Sequence, residues 1–396
     1  MTFSVDHLTW PFFDHGHREL ANDLSIWCEE NLEGVDYDDL FSACRELVRR
    51  LGDGGWLSYS VPSGEHGELG GRLPALDSRS LCLIREVLAQ HHALADFAFA
   101  MQGLGSGAIS LGGNDVLKQR YLPGVATGKL IAAFALSESG AGSDVAALSC
   151  SATLDDDAYV LNGHKTWISN GGLADFYCVF VRTDPNGGSR GISAFVVDAN
   201  TPGLEIEEQI DVISPHPLAR LRFTDCRVPV CQMLGEINQG FKLAMRTLDI
   251  FRSSVAAASV GFARRALKEG LNHARQRKMF DQTLADFQLT QAALGEMLAE
   301  IDKGALLTYR AAWVRDVVGQ PATAETAMAK MAATESAQWV IDRALQMFGG
   351  LGLRKGSIME RLYRDIRALR IYEGATEVQK LIIARELMKS AYSNRS

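Results

Sequence analysis

Glu373 stands in RIYEGATEVQKLIIAREL, residues 370–387, one step before a glycine and just ahead of a helical pattern. A carboxylate fixed in a turn beside a helix is a candidate proton acceptor, since a dry setting strengthens it as a base. Thr376-x-x-Gln379 resembles a capping box that opens the helix and steadies that turn. The plainer reading is a first-turn glutamate favoured by the helix dipole. A second stretch with chemical content is AFALSESGAGSDVAAL, residues 133–148. Gly140 and Gly142 leave its backbone accessible, and Ser137 and Ser143 add hydroxyls, which suits a ligand hydrogen-bonded close to the main chain. A tight turn with solvent-facing serines is the alternative. GLGSGA, residues 103–108, matches a loose dinucleotide pattern. It follows a helical rather than a strand pattern and has no acid near position 125, so a tight helix contact or a turn explains its glycines better.

The elements that must position these residues change period twice. HRELANDLSIWCEENL spaces Leu20, Leu24 and Trp27 by four and three, as an amphipathic helix does. LDSRSLCLIREVLAQ offers Asp77 or Ser78 as a helix start, and NDVLKQRYLPGVATGK predicts a short helix stopped near Pro123-Gly124. From about 131 the pattern turns to β-branched and aromatic runs, with Asn162-Gly163 in AYVLNGHKTWIS as a hairpin signal. After about 235 long Ala-, Leu- and Met-rich stretches return, predicting a bundle of about four long helices. The expected fold is α+β: an N-terminal helical domain (1–130), a middle β-barrel or sandwich domain (131–235) and a C-terminal four-helix bundle (236–396).

LSESGAGSDVAAL, GHKTWISNGG, ARQRKMFDQTLADFQ, QMFGGLGL and RIYEGATEVQKLIIAREL occur in the order and spacing of the acyl-CoA dehydrogenase family, which the chain resembles over about residues 80 to 390. The resemblance implies FAD as cofactor. It implies that Phe134, Leu136, Ser137, Gly142 and Ser143 wrap the flavin, with Ser143 also touching the acyl-CoA, and that Trp167 and Ser169 pack on the ring. Arg277, Phe280 and Gln288 match residues reaching the pyrophosphate and adenosine. Gln346, Gly349 and Gly350 match the complementary binder from a neighbouring subunit, which implies a homotetramer. Thr376 and Glu377 match contacts to the adenosine part, and Glu373 matches the catalytic base, flanked by Tyr372 and Gly374 as substrate contacts. Asp249 and Arg252 align with a substrate-contacting step, or form a plain i,i+3 ion pair.

Two departures stand out against the family pattern. Ser214-Pro215-His216-Pro217 replaces a basic stretch before the last β-strand. Asp96 falls where some relatives have a polar residue on the acyl tail, and one branch with a carboxylated substrate has an arginine there. An aspartate would repel a dicarboxylate, so Asp96 is expected to suit a hydroxylated, cationic or cyclic acyl group. An exposed or helix-capping aspartate is the alternative.

Composition narrows the function classes. With 47% hydrophobic and 22% charged residues the chain has an ordinary globular profile, and its net charge of -8 argues against nucleic acid or an anionic membrane as main partner. No apolar run reaches the roughly 18 residues of a membrane span, and MTFSVDHLTWPFFDHGHREL shows no secretory leader. Seven cysteines without CxxC spacing, and histidines without HExxH, predict a reducing cytoplasm and no metal site. The expected activity is α,β-dehydrogenation of an acyl-CoA, with electrons passed to an electron-transfer flavoprotein. The alternatives are a dehydrogenase or oxidase of carrier-protein-bound acyl groups, a flavin monooxygenase of the same fold, and a non-enzymatic DNA-associated member.

Overall fold

Helical periodicity is realised as read over the first part of the chain. The computed structural model describes residues 6–393; the first five residues of the stretch read for a leader lie outside the described residues. Helix α1 (His15–Asn31) buries Leu20 and Leu24 and leaves Trp27 half-buried. Helix α2 (Leu40–Asp53) starts at Asp39, whose carboxylate accepts from the Ser42 amide at 3.2 Å. Helices α3 (Ser78–His91), α4 (Ala93–Gly112) and α5 (Asp115–Ala126) follow. The stop expected near Pro123-Gly124 falls later. Pro123 lies inside α5, and the Pro123 carbonyl accepts from both the amide and the hydroxyl of Thr127, which close the helix one turn on.

The GLGSGA stretch lies within α4, so its glycines serve packing. A Cβ added at Gly103 would stand 2.6 Å from the Phe251 ring, one at Gly107 2.9 Å from Thr247, and one at Gly105 2.7 Å from the Ala132 backbone. Phe251 and Thr247 belong to the long helix α6 (Gly240–Gln276), which α4 approaches through these bare positions.

Eight strands follow α5: β1 (Ala132–Ala135), β2 (Ser151–Asp155), β3 (Ala158–Ser169), β4 (Phe176–Arg182), β5 (Ile192–Asp198), β6 (Leu204–Gln209), β7 (Leu218–Pro229) and β8 (Met233–Leu234). They form one sheet in the order β6-β7-β3-β2-β4-β5-β8, with β1 parallel to β4. Phe176, Phe180 and Phe195 on β4 and β5 are fully buried and form its apolar centre.

The hairpin expected at Asn162-Gly163 is not there. β3 runs through both residues, and the chain reverses instead at Asp156-Asp157, with Asp155 paired to Ala158. Neighbouring strands explain the difference. The Asn162 side chain exchanges hydrogen bonds with Asp225, the left-handed residue of a bulge on β7. Gly163 (φ +135°) is bare because a Cβ would come within 2.8 Å of Cys150 Cα. Asn and Gly thus serve a bulge and a close approach, which local turn chemistry does not foresee.

Past α6 a small hairpin of β9 (Lys278–Met279) and β10 (Gln282–Thr283) leads to α7 (Gln288–Trp313), α8 (Thr323–Phe348), α9 (Ile358–Leu369) and α10 (Thr376–Ser393). α8 packs on α7, α9 and α10. The helical, β and helical order is therefore as read, with four long helices and a shorter fifth in the last part. By internal contacts the chain forms two compact units. One holds Ser78–Asp96 and the chain from Arg252 onward, with the residues up to Glu30; the other holds Asn31–Asp77 and Phe97–Phe251. No helix among the described residues is long and apolar enough to cross a membrane.

Candidate active site

The turn between α9 and α10 carries the carboxylate singled out first. Glu373 sits at φ +52° and Gly374 at φ +92°. A left-handed non-glycine residue costs of order 1–3 kcal/mol and persists only where its surroundings hold it. Three side chains hold it here. Arg252 Nε donates to the Glu373 carbonyl at 3.2 Å, and Lys330 Nζ and Gln379 Nε2 donate to the Gly374 carbonyl at 2.7 and 2.9 Å.

The capping box read at Thr376 and Gln379 does not form. Thr376 is already the first residue of α10, so its backbone is helical rather than extended, and its hydroxyl donates to Glu335 at 2.8 Å. Gln379 turns its amide back to the turn instead.

The Glu373 carboxylate is poised by opposing effects. Burial raises its pKa above the usual carboxylate value, while the cations of Arg85, Lys330 and Arg252 pull it down and Asp96 pushes it up again. Its Oε2 is buried without a hydrogen-bond partner. A buried acceptor left unpaired is costly in a purely structural role and useful where a proton must be taken up. Burial likewise raises the phenol of Tyr372, which Arg85 faces.

Asp96 proves to be neither exposed nor a cap. It is 3% exposed, in the first turn of α4, whose opening amide at Leu94 is capped by the His92 ring. Arg85 grips it with Nε and Nη2 at 2.8 and 2.9 Å and donates Nη1 to Ser254 at 3.0 Å. The aspartate charge that would repel an anion is therefore matched by a guanidinium.

The other unit carries the loop after β1. Phe134 packs its ring 4.8 Å from Phe180, Leu136 is buried, and Gly142 and Ser143 are exposed. Glu138 ties the loop together, accepting from Lys165 Nζ at 2.7 Å, the Ser149 amide at 2.7 Å and the Cys150 amide at 3.0 Å. Lys165, wholly buried, also donates to the Leu136 carbonyl at 3.0 Å. Burial opposes ionisation of Glu138, but Lys165 and those amides outweigh it and hold its pKa below the ordinary value.

The Ser137 carbonyl accepts from the Thr166 amide at 2.9 Å, next to Trp167. Between Lys165 and Ile168 strand β3 takes three steps where β7 takes two, from Leu221 to Ala219. This bulge puts Trp167 at φ +59° and leaves it 57% exposed. Ser169 closes the strand opposite Leu218. The Ser214–Pro217 loop lies in this unit too: His216 packs on Phe97 at 4.7 Å, and the Pro217 carbonyl accepts from Asn170.

Further residues read from the sequence lie on the helical unit. Arg277 follows α6 and is exposed, and the position a Cβ would take on Gly349 is 3.7 Å from its Nη1. Phe280 (φ +50°) is 81% exposed at the tip of the β9–β10 hairpin, and Gln288 opens α7. Gln346, Gly350 and Glu377 are exposed, and Thr376 is buried. Asp249 is half-buried on α6 in the other unit. Glu373, Tyr372, Gly374, Arg252 and Asp96 thus gather in one unit, while the serine and glycine loop and Trp167 gather in the other. Sequence reasoning missed Arg85, Lys330, Glu138 and Lys165. For Arg85 and Lys330 a signal existed, because each is a charge on an otherwise apolar helix stripe: Leu81, Ile84 and Leu88 for one, Ala327, Ala333 and Ala337 for the other.

Comparison with known proteins agrees along the chain. Three family models match: "Acyl-CoA dehydrogenase, N-terminal domain" over residues 16–129, "middle domain" over 133–226 and "C-terminal domain" over 238–388. The 3-(aryl)acrylate reductase of Clostridium sporogenes is 35% identical, over 96% of this chain and all of that protein. The human mitochondrial short-chain specific acyl-CoA dehydrogenase is 38% identical over 90% of this chain and 85% of that protein. The structure of butyryl-CoA dehydrogenase from Megasphaera elsdenii superposes with a TM-score of 0.84 at 32% identity, covering 98% of this chain and 100% of the other.

Proposed function

Since the chain belongs to the acyl-CoA dehydrogenase family and is an oxidoreductase, we propose that it removes hydrogens from the α- and β-carbons of an acyl-CoA thioester, leaving the 2,3-enoyl-CoA. Glu373 takes the α-proton. The carboxylate oxygen with no partner, Oε2 of Glu373, is the observation that carries this reading. Its raised pKa and its fixed turn suit a base of moderate strength in a dry setting. The Glu373 backbone N–H polarises the thioester oxygen and makes the α-proton more acidic.

The family depends on FAD, and the residues present fit it. Trp167 offers an exposed indole face, Gly140 and Gly142 have nothing within 4 Å of a would-be Cβ, and Arg277 presents an exposed guanidinium suited to a diphosphate. When bound, FAD supplies at its N5 the acceptor for the β-hydride. Phe134, Leu136, Ser137, Gly142, Ser143, Trp167 and Ser169 would hold the ring, and Arg277, Phe280, Gln288, Thr376 and Glu377 the remainder. Gln346, Gly349 and Gly350 would serve a neighbouring subunit's cofactor in a homotetramer; exposed Leu381, Leu387 and Met388 on α10 support such assembly. The described cysteines are free thiols, six of them buried, in keeping with a cytoplasmic protein. An electron-transfer flavoprotein would take the electrons onward.

Anaerobic titration of wild type and Glu373→Gln with a panel of acyl-CoAs tests the reading. Bleaching of the flavin absorption by one substrate, abolished in the variant, is expected. A flavin-loaded wild type that no acyl-CoA bleaches would overturn it in favour of a carrier-protein substrate.

A further inference from the structure

Lys330 is a buried cation that the proposed reaction leaves without a task. It lies on α8, is 0% exposed, and removing an ammonium from water costs several kcal/mol unless something offsets it. Its hydrogen bond goes to the carbonyl of Gly374, at 2.7 Å, rather than to a carboxylate. That same carbonyl accepts from Gln379 at 2.9 Å, and Gln379 Nε2 also lies 3.4 Å from the Glu373 carbonyl. Gln379 is itself fully buried, and a Cβ on Gly374 would collide with its Nε2 at 2.4 Å. Arg252 completes the arrangement from α6 on the Glu373 carbonyl. Two consecutive carbonyls on a strained turn are thus held by three side chains from α6, α8 and α10.

Resting on the dehydrogenase reading above, we propose that Lys330, together with Gln379 and Arg252, is a positioning residue that locks the Tyr372–Glu373–Gly374 turn in its left-handed form and so aims and charges the Glu373 base. Fixing both carbonyls fixes the peptide planes on either side of Gly374, the first of which leaves Glu373, and so limits how far the backbone at Glu373 can turn its side chain. The ammonium adds a second effect, since its field favours the ionised carboxylate.

The charged groups facing Lys330 are Glu373 in the turn, Arg252 on α6, Glu335 on α8 and Glu377 on α10; Glu373 also faces Arg85 on α3 and Asp96 on α4. α7 meets α8 nearby through Gly304, where an added Cβ would lie 3.2 Å from Ala333 Cα. Burial depresses the Lys330 pKa to about 8, with the carboxylates opposing. The lock is therefore charged below that pH and loses its charge above it.

The test uses full-length flavin-loaded protein as wild type, Lys330→Met, Lys330→Arg and Gln379→Met. The Glu373 carboxyl is titrated by carbon NMR of glutamate-labelled protein without substrate, assigned against Glu373→Gln. Flavin reduction by acyl-CoA is followed separately across pH. Lys330→Met should raise the Glu373 pKa and slow reduction by roughly 10²-fold, as a misplacement near 1 Å does, with KM changed far less. Lys330→Arg should keep the Glu373 titration near that of wild type and lose the alkaline fall in rate near pH 8. Gln379→Met should slow reduction while moving the Glu373 pKa little, since it removes no charge. Unchanged carboxyl titration and rates within twofold in Lys330→Met and Gln379→Met would overturn the proposal. If Lys330→Met does not fold, the Lys330→Arg pH profile and the Gln379→Met rate decide. If no acyl-CoA reduces the wild type, the dehydrogenase reading fails, while the substrate-free titration still decides the lock.

Discussion

Trp167 and Glu373 are both bulky residues on left-handed backbone, at φ +59° and +52°, but their strain is held in different ways. At Trp167 the restraint is the sheet itself. Lys165 and Ile168 keep their pairings to β7 on either side of the bulge, and the Thr166 amide bonds the Ser137 carbonyl. At Glu373 no strand is present, and side chains bond the backbone carbonyls instead. A backbone-held bulge is indifferent to most side-chain changes at its tip. A turn held by side chains can be loosened by one substitution or by one proton. The first suits a surface against which something is laid, and the second suits a group whose charge must be tuned.

The largest expected effect comes from removing the group that the second arrangement serves. Glu373→Gln should slow flavin reduction by about 10²–10⁴-fold, the usual worth of a positioned base, in anaerobic stopped flow, with flavin content unchanged. Next comes the polar tie under the first arrangement. Lys165→Met leaves Glu138 buried without its cation and should cost about 3–5 kcal/mol in denaturant unfolding, with loss of bound flavin. Equal stability would mean that the sheet alone holds the loop. Gly163→Ala places a Cβ against Cys150 and should cost about 1–3 kcal/mol in the same assay.

Protonation separates the two regions further. The folded-state pKa of Glu373 is raised, so its contribution to stability is full below the unfolded value and is lost as pH rises through the folded one. The melting temperature of Glu373→Gln minus that of wild type should therefore increase with rising pH; a difference that decreases instead would contradict the burial argument. The smallest effect belongs to Trp167→Ala. This side chain is largely exposed, so unfolding free energy should change by no more than about 0.5 kcal/mol while flavin affinity falls.

Much of the architecture was legible because it is periodic. Leu20 and Leu24 mark the buried stripe of α1, while β4 and β5 declare themselves without any alternation, as unbroken β-branched and aromatic runs that are buried almost throughout. What misled was chemistry whose meaning depends on a distant partner. Asn162-Gly163 has every local mark of a turn, and only the proximity of Asp225 and Cys150 assigns it to a strand. Thr376 and Gln379 have the spacing of a cap, but Glu335 and the Gly374 carbonyl claim their side chains. Asp96 drew notice as a lone carboxylate; its partner Arg85, eleven residues earlier across the α3–α4 junction, could have been noticed only as a charge on an apolar stripe. Family motifs pointed to Glu373 and to the serine and glycine loop, whereas the groups that hold them in place lie outside those motifs or pass in them as ordinary charges.

Glu138 carries a consequence for how this protein can change over time. Its carboxylate bonds the amides of Ser149 and Cys150, so the segment from Ser139 to Leu148 leaves and returns at one tie, and Arg182 holds the returning part through the Ala146 and Leu148 carbonyls. The exposed tip of that loop, Gly142 to Asp144, can change without disturbing strands β1 and β2 on either side. The tip behaves as an interchangeable cassette, open to divergence in what it contacts while the two ends of the loop stay locked.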